Sequence, residues 1–182
     1  MEKDIARVLL SQEQIQTRVE EMGRQIAWDY RGKNPAMGCI LKGAVMFYTD
    51  LLRAMPIQLS MDFMAVSSYG KRTKSSGEVE IRKDLSTSIE NRHVIIVEDI
   101  IDSGFTLSYL SRMLSARGAK SIKICTLLDK PARRAPGITL KADYSGFEIE
   151  DAFVVGYGLD YDEAYRNLPY IGVLKPSVYE NN

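Results

Sequence analysis

Hydrophobic positions along this chain change period several times, and each change marks an element. Ile15, Val19, Met22 and Ile26 recur every three or four positions, which predicts one face of an amphipathic helix. In front of them Ser11 and Gln14 carry the side chains of a capping box, and behind them Gly32 offers a stop. Residues 37–41, MGCIL, read as a short buried strand, and residues 43–55 resume an apolar helical face that ends before Pro56. Ile57, Leu59, Met61 and Phe63 then alternate with Gln58, Ser60 and Asp62, the period of a half-buried strand. Residues 67–77, SSYGKRTKSSG, break the pattern: polar, basic and rich in Ser and Gly, they predict a long exposed loop of the kind that carries function.

The second half repeats the alternation. Residues 93–97 predict a strand, 107–117 a helix ending at Gly118, and 121–128, 151–157 and 170–174 three further strands. Strands alternating with helices imply an α/β fold whose central sheet is mostly parallel and covered by helices on both faces. Sites in such sheets lie beyond the carboxyl ends of the strands. On this reading segments 41–44, 98–106, 129–134 and 158–166 meet there, together with the polar loop 67–77.

Length and charge narrow the possibilities. A chain of 182 residues fits a single domain, residues 1–182. Equal numbers of basic and acidic residues, 24 each, argue against a surface built to grip nucleic acid or anionic lipid. Any anion site is therefore local. Cys39 and Cys125 each sit in an apolar run without CxxC spacing, the pattern of buried thiols in a reducing compartment. No stretch approaches the roughly 18 apolar residues of a membrane span, so a soluble, cytoplasmic protein is expected.

Candidate chemistry concentrates in residues 94–107, VIIVEDIIDSGFTL. The turn Ser103-Gly104-Phe105-Thr106 leads into the helix predicted to begin near Thr106, where unpaired amides and the positive end of the helix dipole favour an anion. Alone, that turn would be an ordinary helix cap by Asp102 or Ser103. Glu98 and Asp99 change this, because two adjacent carboxylates at the end of a buried strand suit hydroxyls, a cationic transition state or a metal. A phosphorylated sugar satisfies both halves.

The same run resembles the 5-phosphoribosyl-1-pyrophosphate signature of type I phosphoribosyltransferases, and its VEDIID form resembles the 6-oxopurine branch, the hypoxanthine-guanine phosphoribosyltransferases. LKGA at 41–44, SSYG at 67–70, LLDK at 127–130 and residues 153–174 follow in the family's order, so the similarity covers nearly the whole chain. Ser103 departs from the Thr of many relatives and keeps the hydroxyl. The resemblance implies the family's fold, with a small hood made from the chain ends. It also implies purine salvage: transfer of the phosphoribosyl group from 5-phosphoribosyl-1-pyrophosphate to hypoxanthine and guanine, giving IMP and GMP.

By the same resemblance Asp102 is the general base, Glu98 and Asp99 hold the ribose hydroxyls, and residues 102–106 hold the 5-phosphate. Leu41, Lys42 and Gly43 present backbone to pyrophosphate, with a cis peptide between Leu41 and Lys42, and Arg166 contacts pyrophosphate too. Lys130 donates to the purine O6, Phe153 stacks on the base, Val154 meets it through backbone, and Ile100 covers the other face. Asp160 lies at the purine site and serves with Glu98 and Asp99 as a magnesium ligand; on an exposed helix Asp160 and Arg166 would otherwise be plain surface charge. Ser68 and Tyr69 belong to a lid formed by residues 67–77. A homodimer or homotetramer is the family's usual assembly. Read singly, Lys130 passes as a solvated lysine, and Phe153, Val154 and Ile100 as core. Two alternatives stand beside this reading: a phosphoribosyltransferase for xanthine or pyrimidines, which should differ at LLDK and FVVGY, and an RNA-binding regulator on the same fold, for which GKRTK is the only pointer.

Overall fold

The computed structural model describes residues 1–68 and 79–180. In chain order the elements are β1 (Ile5–Leu10), α1 (Gln12–Asp29), β2 (Ala36–Leu41), α2 (Val45–Arg53), β3 (Ser60–Ser68), β4 (Val79–Lys83), β5 (His93–Ile101), α3 (Phe105–Ala116), β6 (Ser121–Asp129), β7 (Tyr144–Glu148), β8 (Val154–Val155), β9 (Ile171–Leu174) and the short α4 (Pro176–Tyr179).

Six strands form the central sheet in the order β4-β3-β2-β5-β6-β7, parallel throughout except for β4. Alternation along β5 shows how it is covered on both faces: Ile95 and Val97 pack into the core beneath α1 and α2, whereas Val94 and Ile96 pack beneath α3. α1 fits its sequence closely. The capping box forms, with Gln14 N–H on Ser11 Oγ at 3.3 Å and Ser11 N–H on Gln14 Oε1 at 2.8 Å, and Ile15, Val19, Met22 and Ile26 are buried.

A second sheet, β1-β9-β8, is antiparallel and joins the chain ends into the expected hood. The structure corrects several expectations. β5 runs on to Ile101, so Glu98 and Asp99 lie within the strand and not after it. β3 begins at Ser60, since Ile57 and Leu59 pack against the core from the connection ahead of the strand. Ser67 and Ser68 end β3 and are not loop. The run 151–157 yields only the two-residue β8, outside the central sheet, because Gly156 and Tyr157 turn to positive φ of 100° and 49°. β1, β4 and β7 were not foreseen.

Candidate active site

Two cavities lie at the carboxyl ends of the central strands. The first, about 490 Å³, is lined by the ends of β2 and β5, residues 41–43, the turn 101–104 with Thr106, and Asp160 with Arg166. The second, about 390 Å³, is lined by Lys130, Arg133, residues 151–154, Leu159 and Tyr179. Ile100 and Asp102 line both. A larger cavity of about 570 Å³ sits between α1 and α2, but its walls are mixed-charge helix surface and share no residue with the strand ends.

β5 positions the acids. Glu98 and Asp99 are partly buried in adjacent positions, and Ile100 N–H donates to Asp99 Oδ1 at 2.7 Å. Desolvation, then repulsion from Asp99, pushes the Glu98 carboxyl well above its usual range; desolvation likewise raises Asp99, against the lowering pull of its hydrogen bonds and of Arg166. The loop after β2 is fitted against this pair. A Cβ on Gly43 would stand 1.7 Å from Asp99 Oδ2, and one on Gly158 would stand 2.0 Å from the Gly43 carbonyl oxygen, so two backbones and the Asp99 carboxylate interlock where no further side chain fits. The Leu41–Lys42 peptide is cis, as the resemblance implied.

The turn after β5 is shaped for an anion. Gly104 caps α3 with φ of 81°, and Phe105 N–H reaches Ser103 Oγ at 3.4 Å. The Phe105 ring is 44% exposed and does not line the cavity. Arg134, which sequence reasoning missed, holds the turn from beneath: its Nη1 donates to the carbonyls of Ile101 at 3.1 Å and Asp102 at 2.7 Å, while Nη2 pairs with Asp129. An arginine after LLDK was the only available signal.

Asp160 and Arg166 sit on turns and not on a helix, at 29% and 22% side-chain exposure. Arg166 Nη2 pairs with Asp160 Oδ1 at 2.9 Å and with Glu163 at 3.4 Å, and its Nη1 donates to the Gly158 carbonyl at 2.7 Å. Arg166 Nε is buried without a hydrogen-bond partner, a donor left over beside the first cavity. Glu163 also pairs with Lys42 at 3.0 Å, which holds the Glu163 carboxyl below its usual range. Asp160 lines the first cavity and not the second.

In the second cavity Lys130 is buried, and its Nζ donates to the Ala152 carbonyl at 2.6 Å. Phe153 is 39% exposed, and Val154 is buried in β8. Arg133 reaches across the mouth, its Nε on Asp102 Oδ1 at 3.2 Å and its Nη1 near Asp151 at 3.7 Å. Arg133, Asp151, Leu159 and Tyr179 carried no local signal. Of the expected lid, Ser68 is the last residue of β3, and Tyr69 with residues 70–77 lies outside the described residues.

Among the described residues no cluster of three or more His, Cys, Asp or Glu side chains is arranged to hold a metal. Magnesium does not require one, because it usually binds through one or two carboxylates plus phosphate oxygens of the substrate. Two adjacent carboxyl groups beside an anion turn fit that mode.

Residues 9–162 match the family model of the phosphoribosyl transferase domain. The hypoxanthine-guanine phosphoribosyltransferase of Bacillus subtilis is 59% identical over 181 residues, covering 100% of this chain and 99% of its own. A crystal structure of a hypoxanthine phosphoribosyltransferase from Staphylococcus aureus superposes with a TM-score of 0.94 at 52% identity, covering 98% of this chain and 96% of that one. One of the Trypanosoma cruzi hypoxanthine phosphoribosyl transferase, concerned with its C-terminal region in oligomeric state and enzymatic activity, gives 0.92 at 43% identity over 98% and 96%. The chain belongs to the type I phosphoribosyltransferase family. Within that family it falls in the hypoxanthine-guanine branch, whose enzymes transfer a pentosyl group. No helix among the described residues is long and apolar enough to cross a membrane.

Proposed function

We propose that this chain forms IMP and GMP in purine salvage, joining hypoxanthine or guanine to the phosphoribosyl group of 5-phosphoribosyl-1-pyrophosphate and releasing pyrophosphate. The observation that carries the reading is the position of Asp102, whose side chain lies where the anion-turn cavity and the lysine-bearing cavity meet.

The donor's 5-phosphate lies on the amides of residues 103–106 at the α3 N-terminus, and its ribose hydroxyls on Glu98 and Asp99. Its pyrophosphate meets the backbone of Lys42 and Gly43 and the guanidinium of Arg166, whose unpartnered Nε supplies a spare donor. The purine enters the second cavity between Phe153 and Ile100, its O6 facing Lys130 and its edge the Val154 backbone. A ring nitrogen bonds to carbon 1 as the bond to pyrophosphate breaks, and the displaced N7 proton passes to Asp102. Glu98 and Asp99 stabilise the positive charge that grows on the ribosyl centre. Magnesium bound through one or two carboxylates, drawn from Glu98, Asp99 and Asp160, with the donor's own oxygens would neutralise the leaving group. Lys130 discriminates because an ammonium donates and never accepts, so it matches a 6-oxo group and opposes a 6-amino group. Cytoplasmic residence and a homodimer or homotetramer belong to the same reading.

The test is steady-state turnover of hypoxanthine, guanine, xanthine and adenine with the donor and magnesium, beside RNA filter binding. Hypoxanthine and guanine should react, xanthine more weakly, and adenine with kcat/KM lower by roughly two orders of magnitude or more. Efficient use of adenine, or RNA binding without purine turnover, would overturn the proposal.

A further inference from the structure

Phe153, at the rim of the second cavity, is not held by the core. Its ring stacks on Tyr179 with centroids 4.8 Å apart and planes at 21°, and meets Tyr161 edge-on at 5.7 Å and 84°. These are the offset-stacked and T-shaped geometries that aromatic pairs prefer. With Tyr179 stacked on it and Tyr161 edge-on, the ring is still 39% exposed and lines the cavity, so it keeps surface available to a flat partner. Tyr179 lines the cavity too, so its placement there is part of the cavity wall.

Tyr179 comes from α4, and α4 is anchored at both chain ends. Pro176 opens the turn, Glu180 N–H closes it on the Pro176 carbonyl at 2.9 Å, and Lys175 N–H donates to the Asp4 carbonyl at 2.9 Å. Only the backbone of Phe153 is otherwise fixed, its carbonyl accepting from Leu174 N–H at 2.9 Å. The orientation of the Phe153 ring therefore depends on its two aromatic neighbours, Tyr179 in the stack and Tyr161 at the edge.

We propose that Tyr179 is a positioning residue for the purine: it backs the Phe153 ring so that the opposite face is presented flat to the base, extending the stack to purine, Phe153 and Tyr179. The inference rests on the second cavity being the purine site. A ring is needed at position 179, and its hydroxyl is not.

The experiment compares kcat and the separate KM values for hypoxanthine and donor in wild type, Tyr179→Ala, Tyr179→Leu and Tyr179→Phe, with the oligomeric state of each followed by size-exclusion chromatography. The Ala and Leu variants should raise KM for hypoxanthine by about three- to tenfold, the worth of one aromatic pair, while Phe restores the wild-type value. KM for the donor should stay within about twofold, since its contacts lie in the other cavity. Leu keeps apolar volume, so it carries the comparison with Phe should Ala not fold. An unchanged hypoxanthine KM in the Leu variant, an equal rise in both KM values, or a change confined to variants of altered oligomeric state would overturn the role of Tyr179. Absence of wild-type turnover with hypoxanthine would instead overturn the purine-site reading beneath it.

Discussion

The two cavities of the active site are made in opposite ways. The cavity proposed for the phosphoribosyl group takes Glu98, Asp99 and its anion turn from one continuous segment, residues 98–106, mounted on the central strand β5 and held by Arg134, with residues 41–43, Asp160 and Arg166 brought in around it. The cavity proposed for the purine is assembled from Lys130, Arg133, residues 151–154, Leu159 and Tyr179, which are distant in sequence and meet Ile100 and Asp102 at the end of β5. One is built around a local motif whose adjacent carboxyl groups, Glu98 and Asp99, are desolvated side by side; the other is a convergence of side chains distant in sequence. On the proposed roles, chemistry falls on the contiguous motif and selectivity on segments that can vary independently.

Substitution at the junction should give the largest effect. Asp102→Asn keeps shape and removes the base, so turnover should fall by roughly 10²- to 10⁴-fold while donor binding changes far less. Near wild-type turnover in the purified variant would remove Asp102 from that role. Next, Lys130→Ala acts in the purine cavity alone: loss of a hydrogen bond from a charged group should lower kcat/KM for hypoxanthine by roughly 10- to 150-fold and narrow the gap to adenine, with donor KM unchanged. An unaltered hypoxanthine-to-adenine ratio would show that selectivity lies elsewhere.

The smallest effect probes tension in the phosphoribosyl cavity. Because burial and Asp99 raise the Glu98 carboxyl above its unfolded value of 4.5, its ionised form destabilises the folded chain. The sign follows: the folded state binds this proton more tightly, so the penalty is absent well below pH 4.5 and grows as pH rises toward the elevated folded value. Glu98→Gln, whose amide can donate to Asp99, should raise the melting temperature of the ligand-free protein at neutral pH by a few degrees, the response of a domain this size to about 1 kcal/mol. It should also flatten the loss of stability with rising pH, while lowering turnover. A variant that melts lower than wild type at neutral pH, with an unchanged pH slope, would show that the pair is not under tension.

The same contrast governs what could be read from the sequence. The phosphoribosyl side was legible because strand, acids, glycine turn and helix start are contiguous, each with a local signature. Arg134 was not, because the turn it holds offers it only backbone carbonyls, which leave no pattern. The purine side depended on resemblance. Phe153 and Val154 look like core, and the apolar run around them suggests a strand that positive φ at Gly156 and Tyr157 cuts to two residues. β1 went unseen because most of it faces water, only Leu10 being fully buried, and because its pairing partner lies at the other end of the chain. Tyr179 had no signal, since nothing in a short polar tail marks which distant ring it will meet.

The pairing of β1 with β9 also orders events in time. Residues 5–10 have their hydrogen-bonding partners at residues 171–174, so when the first strand leaves the ribosome the strand it needs has yet to be translated. At about 5–20 residues per second, roughly ten to thirty seconds separate the two. β2, α2, β3, β5 and α3 all precede β9 in the chain, so the turn proposed to cradle phosphate can take shape while the first strand is still waiting, and the antiparallel sheet beside the proposed purine cavity closes last.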